Sequence, residues 1–176
     1  MTKEIQINRL KRLLGEKFIM AGIKYTRDAL TDIPSVEKPQ DHIRGALSSA
    51  GMAISFLDET YFTTSWENWQ KVIAVMNPIA RNFKWTKEKF DCDNRAHLMS
   101  SLISVMFGLT TCSPCYCDVL NVNGKQIGYH YNNVIVDDAG NAYLWDVDNG
   151  FNTVKITSST PILGDWKYRL ISIKAF

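Results

Sequence analysis

At Gly108 the apolar residues of this chain change their period, and that change limits the folds open to it. Ala96, Met99, Leu102, Ile103, Met106 and Phe107 recur every three or four residues, the spacing of one helix face, and Gly108 closes the pattern. Arg95, Ser100, Ser101 and Ser104 fill the opposite face. Beyond Gly108 the alternation is that of strands. Residues 115–122 and 127–136 flank Asn123-Gly124, a strong hairpin signal. Residues 141–148 follow a second turn, Asp137 to Gly140, and Tyr168 to Phe176 alternates in a way that would close the sheet. Helices followed by antiparallel strands define an α+β chain, with a helical N-terminal half packed on a sheet from the C-terminal half.

Upstream, Ile5, Ile7, Leu10, Leu13 and Leu14 approximate helical spacing and stop at Gly15. Residues 34–40 carry two prolines and read as a loop. A further helix is expected with Ile43, Ala46, Leu47, Ala50 and Ile54 inward. Thr64-Ser-Trp-Glu67 fits a capping box opening a helix with Trp69, Val72, Ile73 and Met76, which Asn77-Pro78 ends or kinks. Residues 1–176 then form a single domain. Its parts are a helical lobe of unknown role (1–60), a motif-bearing core (60–150) and closing strands (151–176).

Composition narrows the partners. Hydrophobic residues make up 45% and charged residues 22%, as in an ordinary globular protein. Twenty Lys+Arg against eighteen Asp+Glu, with no basic stripe, lack the footprint of a nucleic-acid binder. Apolar runs such as Val72–Met76 fall far below the ~20 residues of a membrane span. The charged N-terminus is unlike a secretory signal, so a cytoplasmic protein is expected. Its four cysteines, three crowded at Cys112, Cys115 and Cys117 and one apart at Cys92, are expected as reduced thiols.

His130 and Asp146 belong to consecutive strands. If the intervening turn closes with Val136 opposite Gly140, His130 opposes Asp146; a turn two residues longer puts it opposite Asp148. Either pairing fixes a tautomer and stabilises an imidazolium. Cys92 stands where a helix N-terminus favours a thiolate, which the flanking Asp91 and Asp93 oppose unless they turn away or are neutralised by a cation. The plainer alternatives are a buried cysteine, a strand histidine satisfied by a carbonyl, and an acid near a turn. Cys112-Ser-Pro-Cys115-Tyr-Cys117 supplies a zinc half-site without a matching second pair. Trp66 and Trp69 read as core, or as walls of a groove.

The segment from Trp85 through Phe90-Asp91-Cys92-Asp93-Asn94-Arg95-Ala96, followed by His130-Tyr131-Asn132-Asn133 and Leu144-Trp145-Asp146-Val147-Asp148, resembles papain-like and transglutaminase-like cysteine peptidases. The nearest pattern is that of the agglutinin C-terminal family, the peptidase domain of fungal chimeric lectins, with related phage-type proteins. The resemblance implies Cys92 as nucleophile, His130 as general base and acid, Asp146 as orienting carboxylate and Trp85 as an oxyanion or substrate contact. Asn94 departs from that pattern, as does Asp-Val-Asp at 146–148. The implied activity is a cysteine hydrolase cleaving a peptide or isopeptide bond through a Cys92 thioester, with transamidation open. Its partner is a peptide or protein substrate. No cofactor is required, though the resemblance allows calcium or manganese near Asp91 and Asp93. The alternatives are an inactive binding protein on the same fold, or a zinc-stabilised interaction module using Cys112, Cys115 and Cys117.

Overall fold

The computed structural model describes residues 33–83, 86–87, 90–148 and 152–173. The chain divides into two units, Met1–Ile33 and Pro34–Phe176, and every described helix and strand belongs to the second. The helix expected over residues 5–14 and the expected site residue Trp85 lie outside the described residues.

The second unit opens with strand β1 (Val36–Pro39), helix α1 (Gln40–Ala46), a 3-10 turn (Ser48–Ala50), β2 (Ala53–Ile54) and β3 (Thr60–Thr63). Helices α2 (Trp66–Asn82) and α3 (Cys92–Phe107) come next. Then come β4 (Cys112–Leu120), β5 (Gln126–Val136), β6 (Ala142–Trp145), β7 (Thr153–Lys155), β8 (Ile162–Leu163) and β9 (Trp166–Ile173). Mixed helix and sheet agrees with the expected α+β class. The N-terminal part of this unit is less helical than its pattern implies. The two prolines at 34–40 bound an edge strand instead of a loop, because β1 pairs antiparallel with β3 in a separate two-stranded sheet where Pro39 is tolerated. Ile54 sits in β2 and not on a helix.

The larger sheet runs β2-β9-β4-β5-β6-β7, with β8 added to β9. β9 therefore lies inside the sheet and does not close it, parallel to β2 and antiparallel to β4. Alternation sorts the side chains. Cys115, Cys117, Val134, Val136, Ala142, Leu144, Tyr168 and Leu170 pack with Ile43, Leu47, Ala50 and Tyr61 into one buried cluster. Asn133, Ile135, Tyr143 and Trp145 point the opposite way. There the Asn133 amide donates to the Ala96 carbonyl of α3 at 3.0 Å, and the Trp145 indole donates to Asn77 of α2 at 3.1 Å. These bonds place α2 and α3 against that face.

Ser65, not Thr64, caps α2, accepting from the Asn68 backbone N–H at 3.4 Å. The helix continues through Pro78 to Asn82, since Pro removes one hydrogen bond while the buried stripe of Trp69, Val72, Ile73, Met76 and Ala80 holds the turns on both sides. Trp69 is fully buried, and Trp66 stacks on Tyr143 with ring centroids 3.6 Å apart. Gly108 ends α3 in the left-handed conformation, φ 67°. Among the described residues no helix is long and apolar enough to cross a membrane.

Candidate functional site

Cys92 is the first residue of α3, half-buried, with Asp91 as the N-cap. The flanking carboxylates are occupied with the helix start. Asp93 accepts from the Asn94 backbone N–H at 2.8 Å, and its hydrogen bond with Asp91 holds it below the ordinary carboxylate value. The Asn94 side chain in turn accepts from the Asp91 backbone N–H at 3.4 Å.

His130 comes from β5. The ladder between β5 and β6 pairs Val136 with Ala142 and ends at Asn133 with Trp145. This is the longer-turn register, which extrapolates His130 onto Asp148. The ladder never reaches that point, because β6 stops at Trp145 and the chain turns away. The turn swings Asp146, 1% exposed, back to the ring, where His130 Nε2 and Asp146 Oδ1 hydrogen-bond at 3.2 Å. Asp146 also accepts from the Asp148 backbone N–H at 2.9 Å and from the Tyr168 hydroxyl at 3.0 Å. Asp148 instead pairs with Arg95, 2.6 Å away.

The sulfur completes the group, as Cys92 lies near enough to the His130 ring to favour its charged form. Burial alone would lower the imidazole pKa. The Asp146 hydrogen bond and the Cys92 contact outweigh it and push the value up to about 10. The structure thus brings Cys92, His130 and Asp146 together, and the Asp146 carboxylate can hold a proton on the ring. Tyr168 stacks on the His130 ring at 5.8 Å. Beside it Val119, Tyr129, His130, Trp166 and Tyr168 line a cavity of about 230 Å³. Trp166 remains accessible there, 39% exposed, while the Tyr129 ring stacks on Tyr116 at 5.5 Å.

Cys112, Cys115 and Cys117 do not gather as a metal site. Cys115 and Cys117 touch at 3.7 Å inside the core, where mutual contact and burial raise the Cys115 thiol, and burial raises Cys112. Among the described residues no three His, Cys, Asp or Glu side chains are grouped to hold a metal ion, so the zinc-module alternative lacks a site there. A larger cavity of about 350 Å³ lies between α3 and β4, lined by Ser100, Ser101, Ser104 and Ser113 among others, away from the imidazole.

Sequence reasoning misses three participants. Helical spacing assigns Arg95 to the face of α3 opposite the apolar stripe, yet the residue is 5% exposed. Tyr168 and Trp166 belong to β9, whose alternation marks inward and outward positions without saying which strand will be its neighbour.

Fold and site together define an α+β protein with an aromatic cavity beside a thiol–imidazole–carboxylate group. No family model and no curated protein matches the chain. Among solved structures it is similar to a PSL1a–E64 complex, with a TM-score of 0.54 and 12% identity over 78% of this chain and 51% of that one. It is similar too to Polyporus squamosus lectin bound to the human-type influenza-binding epitope Neu5Acα2-6Galβ1-4GlcNAc, with a TM-score of 0.53 and 12% identity over 78% of this chain and 49% of that one. The chain spans about half the length of these neighbours, and the likeness is one of fold.

These neighbours correct the functional expectation. The fold is found here in a lectin, a binding protein, and the reading of the chain as a cysteine hydrolase, thiol protease or transamidase acting on a peptide or protein substrate is set aside. The physical reason is that a fold and a set of adjacent polar groups do not by themselves define an activity.

Proposed function

We propose that this chain is a non-catalytic, glycan-binding protein that receives its ligand in the cavity beside His130. One observation carries the reading: Trp166 and Tyr168 line one accessible cavity together with His130. A sugar ring has an apolar face that stacks on an aromatic side chain and a rim of hydroxyls that needs polar partners. Trp166 offers the first. The second comes from the His130 imidazole in the cavity wall, here given a ligand-holding role. The lectin neighbours support a glycan as the ligand class. The finer fold reading, that of the agglutinin C-terminal family, rests on the Phe90-Asp91-Cys92 helix start and the His130-to-Asn133 strand.

The test is binding of the chain to an immobilised glycan panel that includes Neu5Acα2-6Galβ1-4GlcNAc, followed by calorimetry on whatever binds. Trp166→Ala is expected to weaken binding at least about tenfold, as removal of a central aromatic contact does. No glycan bound, or binding unchanged by Trp166→Ala, overturns the reading.

A further inference from the structure

Arg95 is a buried cation, its side chain 7% exposed, and its guanidinium joins two separate parts of the unit. Nη1 donates to Asp148 Oδ1 at 2.6 Å in the turn after β6, and Nη2 donates to the Phe83 carbonyl at 2.7 Å, just past α2. The Phe90 ring lies 6.0 Å from the guanidinium carbon. Nε is buried without a hydrogen-bond partner. An incompletely satisfied buried charge is a poor source of stability, so its role lies in what it holds in place.

It holds the turn that aims Asp146. The Asp148 backbone N–H meets Asp146 Oδ1, the same oxygen that His130 Nε2 meets. We propose that Arg95 is a positioning residue for the His130 imidazole. By clamping Asp148 to α3 and to the end of α2, it fixes the turn whose backbone N–H locks the Asp146 carboxylate against the ring. The inference rests on the binding reading only for the use made of the cleft, since the clamp itself belongs to the ligand-free protein.

The groups facing His130 are Cys92 from α3, Asp146 from the turn, Tyr168 from β9 and Cys117, its partner across β4. The Arg95–Asp148 pair stands one step behind Asp146. Two effects of losing Arg95 therefore have opposite signs. Simple electrostatics raises the imidazole pKa, because Asp148 loses its counter-charge. A loosened Asp146 lowers it, because the ring loses the hydrogen bond that favours its charged form.

The experiment is a pH titration of ¹⁵N-labelled imidazoles by NMR, on the full chain with no ligand added. In Arg95→Gln the His130 pKa is expected to fall by at least about one unit. Arg95→Lys keeps the charge but cannot bridge Asp148 and Phe83 together, so an intermediate fall is expected. Lys also carries the test should the Gln variant fail to fold, because charge is then constant and only the bridge has changed. An unchanged or raised pKa in the folded variants overturns the proposal. A silent glycan panel beside the expected titration would sink the binding reading alone.

Discussion

His130 bonds Asp146 at 3.2 Å, although the strand register continues toward Asp148. The contact exists because β6 ends one residue before Asp146 and the turn after it folds the carboxylate back. The third hydrogen bond to that carboxylate, from Tyr168 of β9, ties two strands and the turn to one side chain.

Stability should therefore fall at alkaline pH. The folded His130 pKa, about 10, is raised above the unfolded value of about 6.5, so its contribution is fully present below about pH 6.5 and lost as pH rises through about 10. Urea unfolding across this window should show a loss on the order of a few kcal/mol. His130→Gln should flatten the slope, and an equal slope in that variant would count against the assignment.

Asp146→Ala should cost about 3 kcal/mol or more, because it strands the Tyr168 hydroxyl, the Asp148 N–H and a buried ring together. Chemical denaturation measures it. A cost under about 1 kcal/mol would mean that water replaces the carboxylate with little penalty.

Thiol accessibility should split one against three. Cys92 is half-buried, while Cys112, Cys115 and Cys117 are 3% exposed or less. A thiol-specific reagent on the native protein is expected to label Cys92 alone, and the other three only after unfolding. Native labelling of Cys115 or Cys117 would contradict the packing.

Two glycines should respond with opposite signs to alanine. Gly108 holds φ 67° at the end of α3, so Gly108→Ala should cost about 1 kcal/mol through the left-handed backbone alone, an added Cβ meeting nothing within 4 Å. Gly45 lies inside α1 with open space around it, and Gly45→Ala should gain about 0.5 to 1 kcal/mol. Thermal unfolding of the pair checks both, and a shared sign would be inconsistent with this geometry.

Local chemistry was legible where one element contains the whole signal. The α3 stripe, its Gly108 stop and the β4–β5 hairpin all come from short-range pattern. The prolines at 34–40 misled, because a punctuated segment pairs as an edge strand once β3 is beside it. Arg95 misled more instructively. Helical spacing put it on the face opposite Ala96 and Met99, and nothing in that spacing tells whether a second element covers the face.

Periodicity thus specified which elements form and which side chains share a face, since those depend on backbone geometry within a few residues. Strand order, the choice of Asp146 over Asp148, the burial of Arg95 and the meeting of Trp166 and Tyr168 with His130 were decided only by tertiary packing. Each brings together groups distant along the chain, and the free energy that selects such contacts comes from burial and hydrogen bonds that exist only after the layers have assembled.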